Sequence, residues 1–181
     1  MFCYIAFLRA INIGGRRVKM DYLRQLFESF SFSNVATFIA SGNVIFHTEI
    51  DDKKMLESKI ENRLREALGY EVATFVRTNK ELNKIVSHRV FEQFDSGLVK
   101  TLNVAFLSQK LDRELEQKLN LLKSDIDDLI LEEQEIYWLC SKNQSESKFT
   151  NSILEKRLNL QATIRSATTV KKIDALIRNA S

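Results

Sequence analysis

Apolar residues along the chain fall into short continuous runs and into stretches with helical spacing. The first run, residues 2–8, is too short for a core helix and therefore predicts a buried strand. Leu23, Leu26 and Phe27 then recur at the spacing of one helix face, which predicts an amphipathic helix. The chain thus opens with a strand followed by a helix.

Two strand-like segments come next, residues 35–40 and 44–47, and both are rich in β-branched and aromatic side chains. The residues between them, Ser41, Gly42 and Asn43, tolerate the positive φ angles of a tight turn, so the two segments are predicted to form an antiparallel hairpin.

A second helix follows this hairpin. Asp52 is suited to cap its start, and Gly69 is suited to end it. Residues 72–77 then predict a strand, and Thr78 with Glu81 forms the pattern of a capping box that opens a further short helix.

The second half of the chain repeats this order of elements. It predicts in turn a strand at 102–107, a helix along Leu111, Leu115, Leu119 and Leu122, a hairpin of 129–131 and 136–140, a helix at 153–158, a strand at 162–165 and a closing helix capped by Thr168. We therefore expect two copies of one supersecondary plan.

The order β-α-β-β-α-β is the ferredoxin-like split βαβ arrangement. The predicted fold class is α+β, with two tandem ferredoxin-like subdomains, antiparallel sheets and additional helices. We expect the first subdomain at residues 1–87, a connection by a crossing loop at 88–100, and the second subdomain at 101–181. Apolar sheet faces would pack on each other or on a second molecule, so a homo-oligomer is an open alternative.

Composition places the chain among globular proteins. Its 181 residues are 44% hydrophobic and 28% charged, with a formal net charge of +3. The apolar run at the amino terminus lacks the basic leader and cleavage site of a signal peptide, and no segment predicts a membrane span. Cys3 and Cys140 lie in strand-like segments, as expected for reduced thiols in a cytoplasmic protein.

Two long strings resemble a known family. LRAINIGGRRVKMDYLRQLFESFSFSNVATFIASGNVIF and SKFTNSILEKRLNLQATIRSATTVKKIDAL are similar to the two conserved blocks of domain-of-unknown-function family 1697, which is mainly bacterial. The resemblance implies a duplicated ferredoxin-like fold and supplies no activity, cofactor or catalytic residue. The chain departs from the family pattern at Ala10, usually glycine, and at Ser166 and Ala167, where Asn and Trp are common.

The first candidate site combines a glycine pair with basic residues ahead of a helix. Free loop amides beside arginines are suited to hold an oxyanion or phosphate. Turn formation alone also explains the glycines and asparagines, and this alternative stays open. The predicted anion-accepting site comprises Arg9, Asn12, Gly14, Gly15, Arg16, Lys19, Ser41, Gly42 and Asn43.

A second candidate places two predicted helix starts beside basic side chains, although capping alone accounts for its hydroxyl and amide residues. It comprises Thr150, Asn151, Arg165, Thr168 and Lys171.

No catalytic motif or metal-ligand spacing stands out, and Asp127 with its neighbour Asp128 is expected to face solvent. The preferred hypothesis is a binding or interaction module for an anionic small molecule. The alternatives are a small-molecule enzyme of unrecognised reaction and a nucleic-acid-binding protein, for which the aromatic RNA-recognition strand pattern is missing.

Overall fold

The computed structural model describes residues 1–12, 14–39 and 42–180. They divide into two compact units, one comprising Met1–Leu82 with the end of the last helix from Leu176, the other comprising Asn83–Ala175. The domain boundaries expected from the sequence stay a prediction.

The first part of the chain contains four strands and three helices. These are β1 (Phe2–Leu8), α1 (Met20–Ser29), β2 (Ser33–Phe38), β3 (Asn43–Thr48), α2 (Lys53–Leu68), β4 (Thr74–Thr78) and α3 (Asn79–Val86). The strands form one antiparallel sheet in the order β2-β3-β1-β4, with α1 packed on β2 and α2 on β4.

The rest of the chain repeats the plan. It contains α4 (Arg89–Asp95), β5 (Thr101–Leu107), α5 (Arg113–Asn120), β6 (Asp127–Glu132), β7 (Glu135–Cys140), a 3-10 turn (Gln144–Glu146), α6 (Asn151–Leu158), β8 (Ala162–Ser166) and α7 (Ala167–Ala180). Its antiparallel sheet has the order β6-β7-β5-β8, the counterpart of the first. The predicted α+β fold with two tandem units is confirmed.

Each sheet carries an aromatic core on the face that its helices cover. In the first unit the rings of Phe27 and Phe32 lie 5.7 and 4.4 Å from that of Phe46. In the second, Trp138 lies 4.7 Å from Phe149. These buried rings hold helices and sheet together by removing large apolar areas from water.

The predicted helix ends are confirmed in α2 and α3. The Asp52 side chain accepts the Met55 amide at 3.0 Å, and Gly69 ends α2 with φ +77°. Thr78 and Glu81 exchange the two side chain to backbone bonds of a capping box, at 2.8 and 3.1 Å.

Three expectations are wrong. The connection at 88–100 is not simply a loop, because it contains α4, whose Val90 and Phe91 are buried. Thr168 does not cap the last helix, since α7 already begins at Ala167 and the Ser166 hydroxyl accepts the Thr169 amide at 3.3 Å.

The third error concerns Asp127, which is only 4% exposed instead of facing solvent. Polar donors from three segments make its burial favourable, as described below.

No helix in the described part of the chain combines the length and the apolar character needed to cross a membrane.

Candidate functional site

Three connections of the first unit meet at one end of its sheet. β3 and β4 both run antiparallel to β1, so their first residues lie beside the last residues of β1. The Leu8 amide donates to the Gly42 carbonyl at 2.8 Å, and the Arg9 amide donates to the Ala73 carbonyl at 2.8 Å. Loop 9–19, the hairpin residue Gly42 and the segment before β4 are thereby brought together.

Gly42 lies so close to the start of loop 9–19 that no side chain fits there. A Cβ atom on Gly42 would lie 2.7 Å from Ile11 Cγ2 and 3.0 Å from Leu8 Cβ, and the residue has φ +74°. Only glycine meets both demands without strain. Its predicted neighbour Ser41 lies outside the described residues.

Both asparagines of the first candidate bond nearby backbone. Asn12 Oδ1 accepts the Val18 amide at 2.7 Å and so ties the two ends of the glycine turn together. Asn43 is buried and donates from Nδ2 to the Phe38 carbonyl at 2.9 Å, across the mouth of the hairpin. These amides shape the loops, which agrees with the turn-forming alternative for the two residues.

The basic residues of the first candidate flank the exposed glycine turn in sequence, and Arg16 and Lys19 line a depression with Gly15, whereas Arg9 does not. Gly14 and Gly15 have φ values of +70° and +81° and open space around them. Arg16 and Lys19 are exposed, whereas Arg9 is half-buried.

Tyr70 is a member of this region that sequence reasoning missed. The Arg16 guanidinium carbon lies 4.0 Å from the centre of its ring, a cation–π contact. The Tyr70 hydroxyl donates to the Ile11 carbonyl at 3.0 Å. Its position directly after the helix-ending Gly69, at the end of the sheet that loop 9–19 shares, is the signal that could have suggested it.

Loop 9–19 borders a surface depression of about 570 Å³ at the start of α1. Lys19 occupies the cap position of α1 without a side-chain hydrogen bond, so the first-turn amides of that helix have no side-chain cap. Asp21, in the first turn, is an opposing charge. The depression is lined by Asn12, Gly15, Arg16, Arg17, Val18, Lys19 and Met20.

This combination of groups favours an anion. A helix start carries partial positive charge, and loop amides and guanidinium groups donate hydrogen bonds to phosphate or carboxylate oxygens. Arg17, which was not among the predicted site residues, lines the depression together with Arg16 and Lys19 and adds a third basic side chain there.

The second candidate is dispersed. Thr150 caps α6 by accepting the Ile153 amide at 3.2 Å, and Asn151 donates to the Ala162 carbonyl at 3.0 Å, at the start of β8. Thr168 and Lys171 lie beyond the other end of β8.

The two basic residues of this second candidate also have structural partners. Lys171 Nζ lies 2.6 Å from a carboxylate oxygen of Asp95. Arg165 is buried and donates to Thr163 Oγ1 at 2.8 Å and to the Ile164 carbonyl at 2.9 Å. The structure does not bring the five residues to one place.

Asp127 is the centre of a buried polar cluster in the second unit. Its carboxylate accepts from Trp138 Nε1 at 2.7 Å, from the Ser124 hydroxyl at 2.9 Å and from the Ser147 hydroxyl at 2.8 Å. Burial alone would raise the pKa of Asp127, but these hydrogen bonds to its charged form outweigh burial and lower the pKa below its ordinary value. The cluster fastens two loops to the sheet.

His88 has a local structural role, and both cysteines lie in partly or fully buried surroundings. His88 Nδ1 accepts the Val90 amide at 3.4 Å at the start of α4, its ring stacks on Tyr137 at 4.4 Å, and burial lowers its pKa. Cys3 and Cys140 are free thiols whose pKa burial raises. Within the described ranges, no three or more His, Cys, Asp or Glu side chains are grouped as metal ligands would be.

Comparison with known proteins gives a family and a fold. The model of a family described as "Protein of unknown function (DUF1697)" matches residues 1–137. A solved structure of the conserved bacterial protein SP0830 from Streptococcus pneumoniae is similar, with a TM-score of 0.80 and 23% sequence identity over 98% of this chain and 99% of that one. No curated protein matches significantly.

Proposed function

Because the chain belongs to the DUF1697 family of proteins of unknown function, a description that names no activity, we propose a function from its own residues. The protein is a binding module that accepts a small phosphate-bearing anion at loop 9–19. The observation that carries this proposal is the depression at the uncapped start of α1, where Arg16, Arg17 and Lys19 converge.

The proposed ligand contacts divide between backbone and side chains. The exposed turn at Gly14 and Gly15 allows a ligand to approach the backbone closely, because no Cβ stands in the way. Arg17 and Lys19 supply charge that is free to reorient, whereas the stack on Tyr70 holds Arg16 in place before a ligand arrives. Arg9 extends the positive charge toward β1.

Comparison with the second unit supports the proposal that loop 9–19 has a function beyond connecting a strand to a helix. The same connection, from the central strand to the following helix, spans only residues 108–112 there. The fold can therefore make this connection with a loop less than half as long. The added length in the first unit contains the glycine pair and the arginines, which the fold itself does not need.

A cytoplasmic setting fits this function. Both cysteines are free thiols, and disulfides persist mainly in oxidising compartments. Phosphorylated small molecules are abundant in a reducing cytoplasm, which makes the ligand class accessible there.

Titration with inorganic phosphate, followed by amide NMR and calorimetry, tests the proposal. We expect shifts concentrated at residues 14–19 and Gly42. Replacing Arg17 with alanine removes a charged donor, which should weaken phosphate binding about tenfold.

The matched control is Arg113→Ala, which removes the same charge from an exposed position at the start of α5. It should leave the affinity within about twofold, because Arg113 does not line the depression and salt screens the long-range effect of an exposed charge, with a Debye length of about 10 Å. Absence of shifts at 14–19 up to about 10 mM phosphate, the range of very weak binding, or equal weakening by both variants, contradicts the proposal.

A further inference from the structure

The two sheets present four edge strands, β2 and β4 in the first and β6 and β8 in the second. An edge strand has backbone amides and carbonyls that no neighbouring strand satisfies, and it can pair with another chain unless something blocks it. On three of these edges side chains accept hydrogen bonds from strand amides, along the whole of β4 and at one or two amides of β8 and β6.

β4 is the most fully blocked edge. Every second amide along it donates to a glutamate from α2 or α3, and these carboxylates occupy the positions that a pairing strand would need. The pairs are Thr74 with Glu61 at 2.8 Å, Val76 with Glu57 at 2.9 Å and Thr78 with Glu81 at 2.8 Å.

β8 and β6 are blocked in the same manner over fewer residues. A carboxylate takes the first amide of β8, and a hydroxyl and a carboxylate take two amides of β6. The pairs are Ala162 with Glu155 at 3.0 Å, Asp127 with Ser124 at 3.1 Å and Leu129 with Asp128 at 2.9 Å.

β2 lacks this protection. Among the residues that the structure describes, no side chain accepts a hydrogen bond from a β2 amide. The strand contains no charged residue, and neither does the whole stretch 29–48. Ala36 is exposed, Val35 and Phe38 are half-buried, and the following Ile39 is 50% exposed. The pairing of β2 with β3 is regular except between Ser33 and Ala36, where a bulge shifts the register.

We infer that β2 is a docking edge for β2 of a second copy of this chain, paired antiparallel about a two-fold axis near Ala36. This surface is independent of the proposed anion site. A two-fold axis places each residue near the axis opposite the same residue, or a close sequence neighbour, of the other copy. Any charged residue there would therefore face a like charge. The uncharged sequence of β2 meets that requirement, which the carboxylate-bearing β6 does not.

Apolar contact supports the same partner. Backbone hydrogen bonds to the partner strand would satisfy the outward amides of β2. The half-buried side chains of Val35 and Phe38 would also lose their remaining solvent exposure against that strand. The first-unit sheets of the two copies would then form one continuous eight-stranded sheet.

Sedimentation equilibrium of the full chain and its charge variants tests this inference. We expect the unmodified chain to form a dimer. Ala36→Lys and Ala36→Glu each place like charges at the two-fold axis and should weaken dimerisation at least about tenfold. An equimolar mixture of the two variants should restore the dimer, because opposite charges then face each other. The control, Ser58→Lys on the exposed face of α2, should dimerise like the unmodified chain.

A second measurement needs no variant. Amide exchange of β2 in the unmodified chain should slow as protein concentration rises, while that of β4 stays constant. A chain that stays monomeric throughout, a dimer unaffected by either Ala36 substitution, or a mixture that remains monomeric overturns the inference.

Discussion

The Asp127 carboxylate shows how one buried charge can be held favourably. Three donors, two hydroxyls and the Trp138 indole, surround it at 2.7 to 2.9 Å. Transferring a charge from water to the protein interior costs free energy, and complete pairing of this kind compensates for that cost. The result links the loop before β6, the segment before α6 and the middle of the sheet.

The lowered pKa of Asp127 predicts a stability loss in acid. Since the folded-state pKa lies below that of the unfolded carboxyl, near 4, the stabilisation is complete above that unfolded value and is lost as pH falls through the folded-state pKa. Urea unfolding followed by Trp138, the single tryptophan of the chain, checks this. Asp127→Asn should cost about 2 kcal/mol at pH 7 and much less at the acid end. An equal cost at both pH values contradicts this account.

Sequence reasoning could not place this carboxylate. Asp127 and Asp128 are identical in type and adjacent, yet one is buried and the other exposed, because successive residues of a strand point to opposite faces. The same limit applies to Arg77, which is 2% exposed in β4. Only strand register decides which of two neighbouring polar residues turns inward.

At the scale of elements, the edge of β4 depends on the helices packed beside it. Glu57 of α2 is nearly buried, and its Oε1 accepts the Val76 amide. A helix that normally contributes apolar contacts here also completes the hydrogen bonding of a strand. This explains why a carboxylate occurs among the core-facing positions of α2.

Replacing Glu57 with alanine is expected to lower the free energy of unfolding by about 2 kcal/mol, because the buried Val76 amide loses its acceptor. Glu66→Ala, on an exposed position of the same helix with only an ion pair to Arg63, should cost less than about 0.5 kcal/mol. Urea titration and amide exchange at Val76 measure both effects. Unchanged protection of Val76 in the first variant refutes the assigned role.

Most elements could be predicted from apolar patterning, and the exceptions have physical causes. Strands buried on both faces, such as β1 and β5, appear as continuous apolar runs, and their predicted positions are confirmed. α4 was missed because a seven-residue helix offers too few turns for periodicity to show. The start of α7 was misplaced because Ser166 and Thr168 are equally suitable caps in sequence.

At the scale of the molecule, the duplicated plan extends to individual hydrogen bonds. The bond from Leu8 to Gly42 at 2.8 Å has its counterpart from Leu107 to Gln134 at 2.9 Å. Glu61 and Glu155 likewise bond the first amides of β4 and β8. Against this shared frame, the long basic loop 9–19 and the uncharged β2 stand out as features of the first unit alone.

The small net charge of +3 implies that a local concentration of charge, and not overall attraction, would bind an anion. Because the loop is exposed, raising salt from about 20 to about 300 mM should weaken phosphate binding several-fold. Calorimetric titration at several salt concentrations measures this. The Arg17→Ala variant should show a shallower dependence, and an affinity independent of salt contradicts an electrostatic site.

Topology alone could predict at which end of the sheet the candidate site lies. It could not predict which residues make up the site. Antiparallel order places loop 9–19 beside Gly42 whatever the side chains are. The stack of Arg16 on Tyr70 joins residues that are distant in sequence, so no local pattern indicates it. Tyr70 could be suspected only from its place after Gly69 at this end of the sheet, and Arg17 only from its position next to Arg16; the structure shows both at the site.

The contact between Gly42 and Ile11 also constrains how relatives of this chain can diverge. With 2.7 Å between an added Cβ and the Ile11 methyl group, the two positions must change as a pair. A homologue with alanine or a larger residue at the first position should carry a smaller side chain at the second together with a reshaped hairpin, which relieves the positive φ and the approach to Leu8. Such paired exchanges would mark lineages in which the neighbouring loop has acquired a different shape, and with it a different ligand.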